Sequence, residues 1–356
     1  MSEIAVLFEN IRKSYGSFEA VRNINFSIKK GELVSLLGPS GCGKTTTLRL
    51  IAGLEIPTSG RIMIGGQDVS QVPANKRSIG MVFQSYALFP HLSIRENVAY
   101  GLIAQREPKA QAHEKAAAQL EQLDLGHLGD RLPSELSGGQ QQRAAVARAL
   151  VLGPDVLLFD EPLSNLDAKL RRQVREEIRD LQQRLGLTVV YVTHDQAEAL
   201  AISDRILLMR NGIIEQEGPP RQLYQDPQSE FVADFMGDAN VLRLKSGTDG
   251  LIKIGDVVLA SDVGVNTEMS LLLRPEHIEI SAGAGGGLNG RVLRVYYLGS
   301  SMEYRIETDY GSVLVVDRHV NNVLSEGTEV SLHIDGSNAK LIPTPGPVPK
   351  ITAAVA

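Results

Sequence analysis

The stretch Gly38-Pro39-Ser40-Gly41-Cys42-Gly43-Lys44-Thr45 decides the fold of this chain. It fits the pattern of a phosphate-binding loop, in which Gly, four residues and Gly-Lys-Ser/Thr lie between a strand and a helix. The apolar run 33–37 before it predicts a buried parallel strand, and residues 45–52 after it predict a helix that Gly53 ends. Such a turn directs successive backbone N–H groups at an anion. The sequence therefore predicts a phosphate site here.

Side chains within this loop add further chemistry. Lys44 brings a positive charge to the terminal phosphates of a nucleotide, and Thr45 offers a hydroxyl to Mg²⁺. A small residue that fills a tight turn is the favoured interpretation of Cys42, ahead of a reactive thiol. The predicted nucleotide contacts in this segment are Gly38, Pro39, Ser40, Gly41, Cys42, Gly43, Lys44, Thr45 and Thr46.

Composition limits the class of protein. The 356 residues suffice for two domains, and a net charge of −6 gives no support for a nucleic-acid-binding surface. With one cysteine no intramolecular disulfide can form, which fits a reducing compartment. There is no signal-peptide pattern and no apolar run long enough to span a bilayer. Any connection to a membrane is therefore expected to go through partner proteins.

Two domains are predicted. Apolar runs alternate with amphipathic helices up to residue 236, which predicts an α/β domain with a largely parallel core sheet. Its expected elements include strands 80–83, 156–159 and 188–193, the helix 167–185 and a helical subdomain without sheet strands at about 85–149.

Residues 237–342 predict a small all-β accessory domain, a partly open OB-like barrel. The Pro- and Ala-rich tail, 343–356, is expected to be disordered. The expected strands of the β-rich domain are 251–260, 270–274, 290–298, 301–308, 312–316 and 329–334.

Two carboxylates end the apolar run 156–159. Asp160 is placed to hold Mg²⁺ through water near Thr45, and Glu161 is then free to polarise an attacking water. A solvated turn is the alternative interpretation, and it becomes a minor one after a phosphate loop.

A second anion site is predicted at Ser137-Gly138-Gly139-Gln140, which opens a helix with free N–H groups. A simple helix cap is the ordinary alternative. One chain would then hold two phosphate sites but a single lysine-bearing loop. A head-to-tail homodimer resolves this, because the phosphate loop of one subunit and the Ser137 helix end of the other clamp one nucleotide.

In the order and spacing of these motifs, residues 1–236 resemble the nucleotide-binding subunit of an ATP-binding-cassette transporter. The resemblance implies that Tyr15 stacks on adenine, Gln84 touches Mg²⁺ and the attacking water, and His194 contacts the γ-phosphate. It also implies that the loop 164–167 crosses the dimer interface. Each has an ordinary local alternative. Tyr15 would be a packing residue, Gln84 a surface amide and His194 an incidental histidine. Asp167 in the loop would cap a helix.

Other segments of the sequence indicate which branch of this transporter family the chain resembles. Residues 85–98 are similar to importer subunits, and the β-rich domain with 273–276 resembles the accessory barrel of maltose, polyamine and ferric-iron importer ATPases. Residues 140–143 and 235–240 look most like ferric-iron import subunits, with the polyamine branch close behind. A groove formed by 84–101 is expected to receive a permease helix; its apolar contacts are Tyr86, Leu88, Phe89 and Leu92.

The resemblance implies an ATPase that uses Mg²⁺ and couples ATP hydrolysis to solute uptake. Its implied partners are a second copy, permease subunits and, indirectly, a periplasmic or lipid-anchored solute-binding protein. Its implied place is peripheral, on the cytoplasmic face of the inner membrane. A soluble cassette ATPase of repair, translation or ribosome function is the alternative from another class. A regulator that binds ATP without turnover is a further alternative, against which the Asp160–Glu161 pair argues.

Overall fold

The structure, a computed structural model, describes residues 3–163, 167–248, 250–254, 257–259, 264–283 and 285–344. It divides into two compact units that meet in the sequence between Gln222 and Leu223. Residues 223–236, which the sequence analysis assigned to the first domain, fall in the second unit. Among the helices that the structure describes, none combines the length and the apolar character needed to cross a membrane.

The described residues of the first unit form ten strands and most of the helices. In chain order they are β1 (Ile4–Tyr15), β2 (Phe18–Lys29), β3 (Leu33–Leu37), α1 (Lys44–Ala52), β4 (Ser59–Ile64), β5 (Gln67–Asp68), β6 (Ile79–Val82), α2 (Ile94–Ala104), α3 (Lys109–Gln122), α4 (Gly138–Leu150), β7 (Val156–Asp160), α5 (Ala168–Leu185), β8 (Val189–Val192), α6 (Gln196–Ile202), β9 (Arg205–Arg210) and β10 (Ile213–Gly218). The division between the units falls inside the next helix, α7 (Pro220–Gln225).

The core of the first unit is a six-stranded sheet in the order β10-β9-β3-β8-β7-β6. From β9 to β6 every neighbouring pair is parallel. All residues of β3 and β8 are buried, as expected for strands with both faces covered, and all but Ser35 are apolar or aromatic. The α/β prediction with a largely parallel core sheet is confirmed.

A second, antiparallel sheet of four strands, in the order β2-β1-β4-β5, was not predicted. The long strand β1 pairs with β2 through several register shifts, between Phe8 and Ile11 among others. Asn10 within it has a φ of 52°. These bulges interrupt the period-two alternation by which a strand is recognised in a sequence.

Helices α2, α3 and α4 form the expected helical segment, and residues 85–149, all of them described, contain no strand. Helix α2 begins at a capping box: the Ser93 side chain accepts from the Glu96 N–H, and the Glu96 carboxylate accepts from the Ser93 N–H. The fully buried Asn97 then ties down the loop before α2. Its amide accepts from the Phe89 N–H at 2.8 Å and donates to the Leu92 carbonyl at 3.0 Å.

Beyond the helix α8, the second unit is all β, as predicted. Its elements are α8 (Glu230–Phe235), β11 (Asn240–Lys245), β12 (Ile252–Ile254), β13 (Val257–Leu259), β14 (Glu268–Leu273), β15 (Ile278–Ala282), β16 (Leu288–Tyr297), β17 (Met302–Thr308), β18 (Gly311–Asp317), β19 (Glu329–Ile334) and β20 (Ala339–Pro343). The sheets are β11-β14-β20, β12-β13 and β15-β19-β16-β17-β18, and they share one apolar core.

Three strands of this unit, β11, β15 and β20, were not predicted. The strand expected at 251–260 is a hairpin of β12 and β13 in its described part, while 255, 256 and 260 lie outside the described residues. The expected disordered tail also falls outside them from residue 345 onward.

The segment 223–236 packs on the β-sheet of its own unit. The buried Arg274 donates to the Tyr224 carbonyl at 2.6 Å and to the Ala233 carbonyl at 2.7 Å. Its guanidinium lies 4.1 Å from the centre of the Tyr224 ring, and the Tyr224 hydroxyl donates to Glu276. Helix α8 buries Ala233 in a cluster that includes Leu272 of β14. The first structural unit is therefore shorter than the motif pattern suggests.

A chain truncated after Gln222 is expected to fold and to bind ATP, whereas truncation after Met236 is expected to give a less stable protein. The longer fragment retains Val232, Ala233 and Met236, which are fully buried in the intact chain, but lacks the strands that cover them. Thermal unfolding, sedimentation and binding of a fluorescent ATP analogue compare the two. An insoluble 1–222 fragment beside a soluble 1–236 fragment would contradict the division at Gln222.

Candidate functional site

Four predicted motifs lie at the carboxyl ends of four neighbouring strands. The loop from Gly38 follows β3, Gln84 follows β6, Glu161 follows β7 and His194 follows β8. These strands are adjacent in the order β3-β8-β7-β6, and each pair is parallel. Because parallel strands end at the same edge of a sheet, the topology brings the motifs together, at the edge where ligands bind in α/β folds.

The phosphate loop is shaped by three glycines with positive φ angles. Gly38, Gly41 and Gly43 have φ values of 149°, 77° and 107°. A Cβ atom at Gly38 would lie 2.2 Å from the Met209 carbonyl oxygen, and one at Gly43 would lie 2.7 Å from the Ala20 carbonyl oxygen. At Gly41 no heavy atom lies within 4 Å of such a Cβ. The loop is thus pinned against β9 and β2 but open at Gly41, which forms a cradle for an anion.

Lys44 is held inside this cradle. The residue is only 6% exposed, and its ammonium donates to the carbonyls of Gly38 at 2.6 Å and Pro39 at 3.0 Å. Its Nζ lies 3.8 Å from the Cys42 Sγ. Burial raises the pKa of the Cys42 thiol, and the Lys44 charge only partly opposes this. A buried thiol of raised pKa is a poor nucleophile, so the geometry favours a packing role for Cys42.

A cleft of about 210 Å³ opens beside the loop. Tyr15 and Phe18 form the closing pair of the β1–β2 hairpin at its mouth, and they are 44% and 59% exposed. The Lys13 ammonium lies 4.8 Å from the centre of the Tyr15 ring. Sequence reasoning missed Phe18, although two exposed aromatics flanking a Gly-Ser turn were a usable signal. The cleft is lined by Tyr15, Phe18, Ala20, Gly41, Gly43, Lys44, Thr45 and Thr46.

Glu161 and His194 are in direct contact. The His194 Nδ1 lies 3.2 Å from the Glu161 Oε2. Glu161 has a φ of 46°, which is uncommon for a non-glycine residue, and its N–H donates to the Val192 carbonyl at 3.1 Å. This hydrogen bond across the strand ends holds the strained conformation and directs the carboxylate towards the end of β8.

Asp160 provides the best candidate ligand for Mg²⁺. Burial raises the pKa of its carboxyl group, as does the neighbouring Glu161, while Arg49 lowers it. Because the negative charges of these two adjacent carboxylates are only partly compensated, a bound cation would stabilise their ionised forms. Among the described residues no group of three or more His, Cys, Asp or Glu side chains is arranged to hold a metal ion. The Asp160 carboxylate offers the oxygen ligands that magnesium prefers.

Gln84 is exposed and begins a strained loop. Tyr86 and Ala87 have φ values of 58° and 49°. Arg148 of α4 donates to both of their carbonyls, at 2.9 and 2.6 Å. The loop after Gln84 is thereby fastened to the helix that Ser137 caps. Tyr86 is only 7% exposed, so its predicted place in a permease-facing groove is wrong: its ring belongs to the core.

The Ser137 segment forms a capping box at the start of α4. The Ser137 hydroxyl accepts from the Gln140 N–H at 3.4 Å, and the Gln140 side chain accepts from the Ser137 N–H at 2.9 Å. Of the two remaining predicted contacts, Gly139 is buried and Gly138 partly so. None of these four residues lines the cleft at Lys44.

The loop predicted to cross a dimer interface, 164–167, lies outside the described residues except for Asp167. The Asp167 carboxylate accepts from the N–H groups of Lys169 at 3.1 Å and Leu170 at 3.0 Å. Its local interpretation as a cap of α5 is confirmed.

Two family models match the chain. The model described as "ABC transporter" matches residues 21–164, and the model described as "TOBE domain" matches residues 271–341. The first range contains the phosphate loop, Ser137 and Glu161, and the second lies within the all-β unit.

Relatives match nearly the whole chain. The Fe(3+) ions import ATP-binding protein FbpC of Agrobacterium fabrum is 54% identical over 95% of this chain and 98% of its own length. The protein of the same name from Rhizobium etli is 55% identical over 95% of this chain and 97% of its own length.

Solved structures match a large part of the chain. The ATP-binding cassette MJ0796, as a dimer in a post-hydrolysis state bound to ADP and Pi, is 35% identical with a TM-score of 0.52. The match covers 61% of this chain and 99% of that one. The cbiO1 protein of Clostridium perfringens, part of the ABC transporter complex cbiONQ, is 29% identical with a TM-score of 0.58. That match covers 63% of this chain and 92% of the other.

Gly38→Ala and Gly41→Ala are expected to affect the loop differently. The Gly38 variant adds a steric overlap with the Met209 carbonyl to its backbone strain, and should lose about 3 kcal/mol or more of unfolding free energy. The Gly41 variant meets open space and should lose about 1–2 kcal/mol from its left-handed backbone alone. Urea unfolding measures both. Equal losses would contradict the close approach of the loop to β9.

Proposed function

The chain belongs to the family of ATP-binding subunits of ABC transporters, and from this membership we propose that it powers the import of ferric iron through a partner permease. As a member of the family it binds and hydrolyses ATP. The observation that carries the cargo is the match of more than half of all residues, over nearly the full length, to two ferric-iron import proteins. That match favours iron over polyamines, and a transport ATPase over a soluble cassette ATPase.

In this proposal the phosphate loop binds the β- and γ-phosphates of ATP. The open cradle at Gly41 presents backbone N–H groups, and the Lys44 ammonium exchanges its loop carbonyls for phosphate oxygens. Tyr15, at the mouth of the same cleft, stacks on the adenine ring. Phe18, its partner across the hairpin, adds apolar surface there.

Thr45, Gln84 and Asp160 are the proposed magnesium ligands, directly or through water. When bound, the ion supplies positive charge that neutralises the phosphate oxygens. The raised pKa of Asp160 and its repulsion from Glu161 support this assignment, since a cation relieves both.

Glu161 is the proposed general base, and His194 its partner at the γ-phosphate. The strained backbone of Glu161 and its contact with His194 at 3.2 Å fix both side chains before substrate arrives. Glu161 accepts a proton from the attacking water, and His194 orients the γ-phosphate oxygen that this water approaches.

The functional form in this proposal is a homodimer in which the Ser137 helix end faces the nucleotide of the other subunit. The absence of Ser137, Gly138, Gly139 and Gln140 from the lining of the described cleft supports a role in trans. The exposure of Ser137 leaves this helix end accessible to a partner.

The proposed permease contact is the surface of the loop 84–93 and helix α2, on the cytoplasmic face of the inner membrane. Leu88, Phe89 and Leu92 are partly buried and Tyr100 is exposed there, with the rings of Phe89 and Tyr100 4.6 Å apart. Because Arg148 and Asn97 fasten this loop, a movement of α4 is transmitted to the permease contact.

Glu161→Gln is expected to lower ATP hydrolysis by about 10²–10⁴-fold, since the base is lost while size and polarity are kept. ATP binding should persist, and the variant should accumulate as an ATP-bound dimer on size-exclusion chromatography with Mg²⁺. Asp160→Asn is the matched control, which should lose magnesium-dependent binding instead.

In cells, Glu161→Gln should abolish uptake of radiolabelled ferric iron and leave spermidine uptake unchanged. Normal hydrolysis by Glu161→Gln would refute the base, and a loss confined to spermidine would refute the cargo.

Ser137→Asp tests the trans site without loss of the helix cap, because Asp caps as well as Ser. Its carboxylate should repel the γ-phosphate bound by the other subunit and abolish hydrolysis, while the monomer keeps its affinity for ATP. Mixing it with inactive Lys44→Ala should restore part of the activity, because one of the two composite sites is then intact. No recovery in a verified heterodimer would contradict the head-to-tail arrangement.

A further inference from the structure

A buried carboxylate follows His194 by one helical turn. Glu198, in α6, is only 4% exposed, and the chemistry described so far makes no use of it. Its Oε2 accepts from the Thr193 hydroxyl at 2.7 Å and from the Tyr191 hydroxyl at 3.1 Å. Both donors belong to β8 or the residue that follows it, so the carboxylate is fastened to the strand end from which His194 projects.

The Thr193 hydroxyl closes a ring of hydrogen bonds around His194. It donates to Glu198 and at the same time accepts from the Asp195 N–H at 2.9 Å. The Asp195 carboxylate in turn accepts from the Glu198 N–H at 3.1 Å and caps α6. The Thr193 hydroxyl therefore joins the residues on either side of His194, Thr193 and Asp195. This hydrogen bond restricts rotation of the His194 backbone.

Helix α5 contributes the countercharge. The Arg171 guanidinium lies 3.4 Å from the Asp195 carboxylate and 3.8 Å from the Glu198 Oε1. Burial raises the pKa of Glu198, as does the nearby Asp195 charge, whereas the Thr193 and Tyr191 hydroxyls and Arg171 stabilise its ionised form. A buried carboxylate is costly to maintain unless every oxygen is satisfied, and here both oxygens face a partner.

We propose that Glu198 is a positioning residue for His194, acting through the Thr193 hydroxyl to hold the histidine turn that directs Nδ1 at Glu161. The inference rests on the proposed role of His194 at the γ-phosphate and deepens it. Glu198 touches no reacting atom in this scheme. It fixes a residue that does, and a misplacement of a catalytic group by about 1 Å can cost about 10²-fold in rate.

The test compares Thr193→Val, which keeps the shape but removes the hydroxyl, with Thr193→Ser, which keeps the hydroxyl. Thr193→Val should lower kcat of the basal ATPase of the full chain by about 10- to 10²-fold with KM for ATP changed less than about twofold. Thr193→Ser should retain the wild-type kcat within about threefold. Tyr191→Phe is the matched control, since it removes the other hydroxyl from the same carboxylate but leaves the Thr193 bridge. It should lower the melting temperature and leave kcat unchanged.

Each variant is then repeated in a His194→Ala background, where a residue that acts through His194 has nothing left to position. Thr193→Val should cost less than about twofold there, a non-additivity expected of residues that act as a unit. Full activity of Thr193→Val beside a His194→Ala variant of lowered but measurable activity would overturn the inference and leave the proposed function intact. An equal loss in both backgrounds would reduce Glu198 to a structural role and overturn the inference as well. Wild-type activity of His194→Ala would overturn both.

Discussion

The residue-by-residue parallel pairing of β3, β8 and β7 is the constraint on which the site depends. Leu36 pairs with Val192, and Val192 pairs with Asp160, so three strands end level with one another. These strands are buried and, apart from Ser35 in β3, apolar until they end, so charged residues begin only at their carboxyl ends. A slip of one residue in β7 would turn Asp160 to the opposite face of the sheet and separate Glu161 from His194.

Uncommon backbone conformations occur after three of the core strands, β3, β6 and β7. Gly38 and Glu161 are in positive-φ conformations, and so are Tyr86 and Ala87 after β6. Each is held by a hydrogen bond or a close contact with a neighbouring element: Val192 holds Glu161, and Arg148 holds the loop of Tyr86 and Ala87. Because neighbouring elements hold these backbone conformations, the polar groups stay directed at the ligand site. The site is therefore formed before a ligand binds.

The features that could be predicted from the sequence are those that depend on residues close together in the chain. The phosphate loop, the Asp160–Glu161 pair and the Ser137 cap are determined by residues within a few positions of one another, and topology then assembles them. The antiparallel sheet was missed because bulges break the alternation in β1. The division at Gln222 was missed because it rests on Arg274 reaching back some fifty positions to Tyr224. Tyr86 was misplaced because nothing local distinguishes a buried tyrosine in a loop from an exposed one.

The electrostatics at the strand ends disfavour the ionised form of Asp160 in the folded protein. The pKa of Asp160 is raised by burial and by Glu161, so the folded state binds its proton more tightly than the unfolded state does. This group contributes stability at low pH that is lost as the pH rises through its folded pKa, and near neutral pH the full repulsion remains. Glu198, also buried, has two hydroxyls and Arg171 to balance it, whereas the pKa of Asp160 is lowered by Arg49 alone among its charged neighbours. A carboxylate with an internal counterion belongs to the scaffold, while one left under-compensated at an open edge is suited to bind an external cation.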